Sequence, residues 1–414
     1  MRKGAAMKRY VQYCLRCEKE AADDGYACPV CGGPLGQRYD LSDAEFFRNV
    51  LRNARRFWDY APFFAVREPE RAITLGEGFT PLVRSDRAGE QLGVGRLHVK
   101  NEAANPSGTF KDRCMSISVS RAREDGDAAF VIGSAGNAGA AAAAYAARAG
   151  KPCYVLLPAS TPKERLAQIQ VCGARLILVE GSVTDCIELI RSVAPEQGWR
   201  NLTTAAAYNP YQADAEKAIA YEMAQAMAWH VPDWVVTPIG GGGILTGIYN
   251  GYADLLALGL TDRMPKMIGV QETGCAPLVD AFKQGLGPDA IPTVAAPTGI
   301  AVAIADAYPL DGPTALQAIR TSGGVAEDVS SEEIVAAQRL LASAEGIYAE
   351  PASSTTIAGV AKLRAIGTIG AQDEVVCVIT GSGMKEMGLT ARYLDSSPKI
   401  PLDADALRRV VDTP

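Results

Sequence analysis

The sequence predicts an α/β protein whose parallel sheets are covered by helices on both faces. Short apolar runs such as "AAFVIGS" (128–134) and "EVVCVIT" (374–380) alternate with stretches of helical periodicity. Strands buried on both faces read as continuous apolar runs, as these do. Glycine-rich sequence follows several of the runs, where a strand would pass into a helix. In folds of this class, ligands bind at such junctions, beyond the carboxyl ends of the strands.

Length, charge and cysteine content narrow the number of domains, the possible partners and the cellular compartment. The 414 residues suffice for about two or three domains. A net charge of −6 disfavours nucleic acid or an anionic membrane as the main partner. No apolar run approaches the roughly 20 residues of a membrane span, and the N-terminus lacks the apolar core of a signal peptide. Ten cysteines without a secretion signal point to a reducing compartment, so we expect a cytoplasmic enzyme.

Residues 8–40 are expected to form a zinc ribbon, because two CxxC pairs lie ten residues apart. The predicted ligands are Cys14, Cys17, Cys28 and Cys31. A redox pair would need one CxxC only, and four unrelated thiols would not be paired in this way. Four thiolates leave no open coordination position, so we expect structural zinc without a catalytic role. The rest of the chain should bind its ligand without the ribbon.

The next segment, residues 41–70, is expected to be helical and to link the ribbon to the α/β body. Within the body we predict further strands at 97–101, 153–158, 175–180, 233–240 and 266–271.

"NPSGTFKDR" (105–113) places Lys111 just inside the start of a predicted helix. The helix dipole is positive at that end and disfavours a charged lysine. An ordinary solvated lysine is the alternative. A neutral amine, however, is what a covalent bond to a carbonyl compound requires.

The run Gly240–Gly243, between a predicted strand and a predicted helix, can present a nest of backbone N–H groups to a phosphate. It fits neither GxGxxG nor GxxxxGK[ST], which favours a small phosphorylated cofactor over a dinucleotide or a nucleoside triphosphate. A flexible turn is the alternative.

Two further junctions offer polar groups. In "GSAGNAG" (133–139), Ser134, Gly136 and free N–H groups could bind a carboxylate, and Asn137 brings an amide; an ordinary helix cap is the alternative. In "TGSGMK" (380–385), Thr380 offers a hydroxyl at a strand end. A phosphate nest, an amine, a carboxylate site and a hydroxyl together indicate pyridoxal 5′-phosphate and an amino-acid substrate. The two histidines lie outside these junctions, which disfavours histidine-dependent triads.

At these residues the chain resembles the threonine-synthase-like branch of the fold type II pyridoxal-phosphate enzymes, over about residues 8–390. The resemblance is carried by "GEGFTPL" (76–82), "NPSGTFKDR", "GSAGNAG", "PIGGGG", "SGGVAEDVSSEEI" (322–334), "EGIYAEPAS" (345–353) and "TGSGMK". It implies a fold like that of tryptophan synthase β, with the cofactor between two domains, and a homodimer. The implied divisions are a linker and the start of the large domain at 41–104, a small domain at 105–207, the large domain at 208–397 and a tail at 398–414.

The resemblance also implies a role for each motif. Lys111 would form a Schiff base with the cofactor and, once released, act as the base for the substrate Cα proton. Phe110 would lie against the cofactor ring, Asn137 would bind the ring hydroxyl oxygen, and Thr380 would face the pyridine nitrogen. The phosphate would be bound by Gly240, Gly241, Gly242 and Gly243. The substrate carboxylate would be received by Ser134, Ala135, Gly136 and Asn137.

The resemblance favours threonine synthesis from O-phospho-L-homoserine over any other single named activity. One motif, however, departs from the family pattern. Relatives tend to show "NSxNPxR", whose amide, hydroxyl and guanidinium help to hold the substrate phosphate. This chain has Ala206, Ala207 and Gln212 at those positions. We therefore expect poor use of phosphohomoserine unless Lys217 or Arg165 turns inward.

Three other functions stay open at this point. The first is a serine or threonine dehydratase, and the second is a β-replacement synthase that uses an O-activated serine, as a cysteate synthase does. The third is a non-catalytic, amino-acid-sensing zinc-ribbon regulator, against which the intact Lys111 and the acidic charge both count.

Overall fold

The computed structural model describes residues 10–21, 25–161, 166–394 and 396–411. The first two residues of the predicted ribbon, Arg165 and the last three residues of the tail lie outside these ranges. The strands are β1 (Tyr10–Cys14), β2 (Glu20–Ala21), β3 (Leu35–Tyr39), β4 (Leu82–Arg84), β5 (Arg96–Asn101), β6 (Ala129–Ile132), β7 (Cys153–Pro158), β8 (Arg175–Val179), β9 (Trp199–Asn201), β10 (Trp234–Pro238), β11 (Lys266–Glu272), β12 (Val325–Val329) and β13 (Glu374–Ile379). The α-helices are α1 (Ala44–Asn53), α2 (Asp86–Leu92), α3 (Lys111–Glu124), α4 (Asn137–Ala149), α5 (Ala167–Val171), α6 (Val183–Val193), α7 (Lys217–Ala226), α8 (Gly243–Ala257), α9 (Pro277–Lys283), α10 (Gly312–Thr321), α11 (Ser331–Glu345), α12 (Pro351–Ala365), α13 (Met387–Thr390) and α14 (Ala404–Val411).

Two sheets form the body, and they confirm the predicted parallel α/β class. The larger has the strand order β12-β11-β10-β13-β5-β4 and is parallel except for the antiparallel pair β4 and β5. The smaller has the order β8-β7-β6-β9 and is parallel throughout. Every residue of β6, β10 and β13 is buried, as the continuous apolar runs predicted. Within the described residues, no helix is both long enough and apolar enough to cross a lipid bilayer.

Three strands of the α/β body were not predicted from the sequence. Strands β4 and β9 have three residues each, too few for a periodic signal. Strand β12 carries Glu327 and Asp328, which an apolar strand would lack. Both carboxylates form ion pairs with Lys283.

The cysteine-rich segment forms a separate antiparallel sheet, in the order β2-β1-β3. It packs against the body through the buried side chains of Tyr10, Tyr39 and Tyr211. The hydroxyl of Tyr39 donates to Asp214, and Arg121 donates to the hydroxyl of Tyr10 at 2.9 Å. The segment therefore rests on helix α3 and on the residues just before α7.

Helix α3 begins at Lys111, close to the predicted start. The loop before it is joined to the chain that follows β13: the N–H of Phe110 donates to the carbonyl of Thr380, and that of Ser382 to the carbonyl of Gly108, each at 3.0 Å. These bonds place Lys111 at the carboxyl edge of the larger sheet, where ligands bind in this fold class.

A buried network of four charges holds α3 in place. The guanidinium of Arg113 binds Glu102 at 2.7 Å and Glu222 at 2.7 Å, and Lys100 binds Glu222 at 2.6 Å. All four side chains are buried. Burial by itself would raise the pKa of Glu222, but the charges of Arg113 and Lys100 outweigh it and lower that pKa. The network joins α3 to the end of β5 and to α7.

We predict that Arg113→Met lowers the free energy of unfolding by about 3–5 kcal/mol, because it leaves Glu102 and Glu222 with a single buried cation between them. Chemical denaturation measures the change. The control is Arg123→Met on the same helix, since Arg123 has no ion pair among the described residues. Equal stability of the two variants would contradict a structural role for the network.

Candidate active site

Lys111 is partly buried, and its only described hydrogen-bonding partner at Nζ is a neutral hydroxyl. Nζ donates to Oγ1 of Thr204 at 3.0 Å and lies 4.5 Å from the centre of the Phe110 ring. Nearby, burial raises the pKa of Glu216 to about 7, although the charge of Lys111 opposes this shift. The amine therefore has no described salt-bridge partner and can take a covalent or hydrogen-bonded ligand.

The glycine run lies between β10 and α8, as predicted, and its shape requires glycine. Gly242 has a φ of +100°, and a Cβ there would lie 3.0 Å from the backbone carbonyl oxygen of Asp311. A Cβ on Gly240 would lie 3.2 Å from the Cα of Ile304. Among the described residues, none accepts a hydrogen bond from the N–H groups of Gly240, Gly241, Gly242 or Gly243. These donors, at the start of a long helix, suit a phosphate.

An acidic side chain borders this nest. Oδ1 of Asp311 accepts the N–H of Ala206 at 3.0 Å, and its Oδ2 lies 3.1 Å from where a Cβ on Gly243 would be. Burial raises the pKa of Asp311 to about 6, with the Ala206 N–H and Lys111 opposing. A phosphate bound to the nest would lie beside a carboxyl group that keeps its proton to a higher pH than an exposed aspartate does.

A cavity of about 480 Å³ opens beside the carboxyl edge of the larger sheet. Ala135, Gly136 and Asn137 line it, at the start of α4, together with Ser107 and Lys385. The volume suits a small amino acid. Ser134 is not among the lining residues, but its Oγ accepts the N–H of Gly136 at 3.3 Å and so helps to fix the loop before α4.

Two residues without a predicted role contact the predicted site. The amide of Asn137 donates to both carboxylate oxygens of Glu350, at 3.0 and 2.9 Å. The hydroxyls of Thr380 and Ser353 lie 2.8 Å apart. Glu350 and Ser353 belong to "EGIYAEPAS", so the motif could have identified them as candidate site residues. Nothing in the local sequence indicated which side chains they would contact.

The positions that depart from the "NSxNPxR" pattern do not line the cavity. Gln212 is 1% exposed and Ala207 lies on the surface. Asn209 donates to the hydroxyl of Ser118 at 2.8 Å. Of the two candidate replacement cations, Lys217 forms ion pairs with Asp214 and Asp254 at 3.5 and 3.2 Å, and Arg165 lies outside the described residues.

The four N-terminal cysteines converge on one point. Their sulfur atoms all lie within 4.8 Å of one another, with Cys14 and Cys31 at 3.4 Å and Cys17 and Cys28 at 3.7 Å. Tetrahedral zinc with Zn–S bonds of about 2.3 Å would need S–S separations of about 3.8 Å. A Cβ on Gly33 would lie 3.0 Å from the sulfur of Cys14, so a side chain there would press on the cluster.

Comparison with known sequences relates most of the chain to enzymes. Residues 73–381 match the family model described as "Pyridoxal-phosphate dependent enzyme". The chain is 38% identical over 407 residues to the threonine synthase of Methanocaldococcus jannaschii, which covers 97% of this chain and 99% of that relative. It is 38% identical over 336 residues to the threonine synthase of Mycobacterium leprae, or 81% of this chain and 89% of that relative.

Solved structures give the same fold. Threonine deaminase isoform 2 from Solanum lycopersicum is similar with a TM-score of 0.64 at 18% identity, over 90% of this chain and 88% of that one. A fungal L-serine ammonia-lyase from Rhizomucor miehei is similar with a TM-score of 0.66 at 18% identity, over 78% of this chain and 98% of that one. At these identities the likeness shows the fold alone.

Proposed function

This chain belongs to the family of pyridoxal-phosphate-dependent enzymes, and we propose that within this family it is a threonine synthase, which converts O-phospho-L-homoserine and water into L-threonine and phosphate. The observation that carries the proposal is the 38% identity to a threonine synthase over 97% of this chain. The cavity adds support, because its volume of about 480 Å³ can hold a small amino acid and it adjoins the start of α4.

We propose that the predicted residues hold the cofactor. The free N–H groups of the glycine run would bind its phosphate, and Nζ of Lys111 would hold its aldehyde carbon. Phe110 would lie against its ring and Asn137 near the ring hydroxyl oxygen, with Glu350 fixing the amide. Thr380, oriented by Ser353, would face the ring nitrogen. A hydroxyl there does not favour protonation of the nitrogen as a carboxylate would, which suits elimination and replacement better than transamination.

Bound pyridoxal phosphate supplies the acceptor for the electrons left when a proton leaves a substrate carbon. We assign to Nζ of Lys111 the removal of the Cα proton and the return of a proton to the substrate chain. The hydroxyl of Thr204, at 3.0 Å, would orient this amine. Across the reaction the bond between Cγ and the phosphate oxygen breaks, and its electron pair leaves with the phosphate. Cβ loses one proton and bonds to the hydroxyl of water, Cγ gains one proton, and the second proton of water leaves with the phosphate. N–H groups at the start of α4 would hold the substrate carboxylate still.

The proposed activity is tested by kcat/KM for threonine formation from O-phospho-L-homoserine. We expect about 10⁴ M⁻¹s⁻¹ or more. Ammonia release from serine and threonine, and β-replacement on O-phospho-L-serine, are measured in parallel. The departure at Ala206, Ala207 and Gln212 predicts instead a kcat/KM well below this value, which is the alternative outcome of the same assay. That alternative is weakened because none of the three residues lines the cavity. A dominant dehydratase or β-replacement activity would overturn the proposal.

We predict that Lys111→Ala lowers threonine formation by roughly 10³-fold or more, because one group supplies both the covalent attachment and the base. The fold should persist, since the variant deletes a partly buried side chain without a described ion pair. Steady-state rates and thermal melting are measured beside Lys399→Ala, a control at an exposed position. Near-normal turnover in Lys111→Ala would refute the cofactor assignment.

We predict that Asp311→Asn makes cofactor binding less sensitive to pH. Above pH 6 the wild-type carboxyl loses its proton, and the cofactor phosphate gains its second charge near the same pH, so repulsion weakens binding. The amide oxygen of the variant can still accept the Ala206 N–H. Between pH 5.5 and 8, the affinity of the variant relative to wild type should rise about three- to tenfold. Titration of the apoenzyme measures this ratio, with surface Asp289→Asn as the control; a constant ratio would contradict the prediction.

We propose that the cysteine cluster holds one structural zinc per chain. The N–H groups of Cys31 and Val30 lower the pKa of the Cys28 thiol to about 7. Against the N–H of Gly33, the sulfurs of Cys14 and Cys17 raise the pKa of the Cys31 thiol to about 12. All four groups therefore become thiolates together only when a cation is bound. The geometry of the four sulfurs also fits a closed, four-coordinate site.

We predict that deleting residues 1–40 removes the zinc and lowers the thermal midpoint, because the buried contact between Tyr39 and Asp214 is lost. The truncated chain should still bind pyridoxal phosphate, since none of the proposed cofactor residues lies in the ribbon. Metal analysis and melting curves are compared with Cys172→Ser, which leaves the cluster intact. Zinc-free protein after reducing purification would refute the site, and loss of cofactor binding on truncation would refute its independence.

We further propose, from the family resemblance, a cytoplasmic homodimer that acts on a small amino acid without a nucleic-acid or membrane partner. Sedimentation equilibrium of the holoenzyme tests the dimer. A monomer at micromolar concentration would contradict it.

A further inference from the structure

We propose that Lys385 is the residue that recognises the phosphate group of the substrate. Lys385 ends a short turn, Gly383–Lys385, just after β13, and it lines the same cavity as Gly136 and Asn137. Its side chain passes along Gly108, where a Cβ would lie 3.7 Å from its Cε. Gly108 has a φ of +78°, so a turn that favours glycine also makes room for the lysine stem.

The ammonium group of Lys385 lacks a partner among the described residues. Its Nζ is shielded from solvent and forms no hydrogen bond with them. Burial lowers the pKa of Lys385, although three carboxylates oppose the shift; these are Glu350, Asp112 and Glu386. None of the three forms a described ion pair with it. A buried ammonium without a partner is unfavourable, so an anion that enters the cavity would gain a strong donor.

Two of these carboxylates, those of Glu350 and Asp112, have hydrogen-bond donors of their own. Glu350 accepts from the amide of Asn137 at 3.0 and 2.9 Å. Asp112 accepts the N–H of Ser107 at 2.7 Å and its hydroxyl at 2.5 Å. Their negative charge is partly satisfied by these donors, so the charge of Lys385 is not committed to either.

The phosphate is a better match than the α-carboxylate because the cavity already offers a carboxylate site. That site is the backbone of Ala135–Asn137 at the start of α4. Lys385 reaches the cavity from a different element, next to Ser382, which also lines it and carries a hydroxyl. A two-ended substrate would place its two anionic groups on these two parts of the wall.

This inference rests on the proposed function and supplies a cation that the "NSxNPxR" comparison does not. As the bond between Cγ and the phosphate oxygen breaks, the electron pair passes to that oxygen. The ammonium group of Lys385 would stabilise the charge of the departing phosphate, as a positioned cation does in other phosphate-binding sites.

The test measures calorimetric binding of two ligands to the holoenzyme. One is the phosphonate analogue of O-phospho-L-homoserine, in which carbon replaces the bridging oxygen so that elimination cannot occur. The other is L-norvaline, which has the same carbon chain without the phosphonate. We expect Lys385→Met to weaken phosphonate binding roughly 30-fold or more and norvaline binding less than about threefold. Lys385→Arg should recover part of the loss, and Lys362→Met, at a surface ion pair outside the cavity, should change neither.

Two results would overturn the inference. Equal weakening of both ligands would assign Lys385 to the α-carboxylate, and unchanged phosphonate binding would show that it contacts no substrate anion. Threonine formation by the same proteins separates this inference from the proposed function. If wild type makes no threonine yet Lys385→Met selectively loses the phosphonate, only the proposed function fails. If Lys385→Met retains wild-type kcat/KM for threonine formation and full phosphonate affinity, only the role of Lys385 fails.

Discussion

The buried pairing of Arg113 with Glu102 and Glu222 is the interaction on which the site depends most. Lys111, the first residue of α3, lies two residues before Arg113. The network therefore fixes the position and the rotation of the helix that carries the Lys111 amine. The same helix joins both cores, because Ile117 packs with the larger sheet and Met115 with the smaller one. Buried charges tolerate little displacement, since each depends on its partner for compensation. An ion network is therefore well suited to hold a reactive lysine between two sheets.

The glycine run and its acidic neighbour show how a phosphate site is shaped without a basic side chain. Close approach of the Asp311 backbone excludes a side chain at Gly242, and the free N–H groups then supply the donors. Burial raises the pKa of Asp311 to about 6, so the carboxyl opposes a bound phosphate with a full charge only above that pH. The positive potential at the start of α8 and the amine of Lys111 both favour the negative charge of a phosphate bound here.

A substitution in a family motif need not change the binding site with which the motif is associated. The chain is 38% identical to a threonine synthase over nearly its whole length, yet three positions of a phosphate-associated motif differ. Ala206 and Gln212 are buried and Ala207 lies on the surface, and none of the three lines the cavity. The cation available to the cavity instead follows β13, in a motif that the sequence had already marked. The effect of a departure from a family motif can therefore be judged only when the structure shows where the substituted side chains lie.

The sequence by itself determined the parallel α/β class, the position of Lys111 at the start of a helix, the glycine run after a strand and the pairing of the four cysteines. Each of these follows from neighbouring residues, because periodicity, turn-forming residues and ligand spacing act over short stretches. Only the tertiary structure decided that Asn137 meets Glu350, 213 positions away, and that Lys111 meets Thr204, 93 positions away. It also decided that Lys217 is bound in ion pairs while Nζ of Lys385 has no described partner. These contacts join segments from different elements, and the packing of the two sheets, rather than any local preference, brings their side chains together.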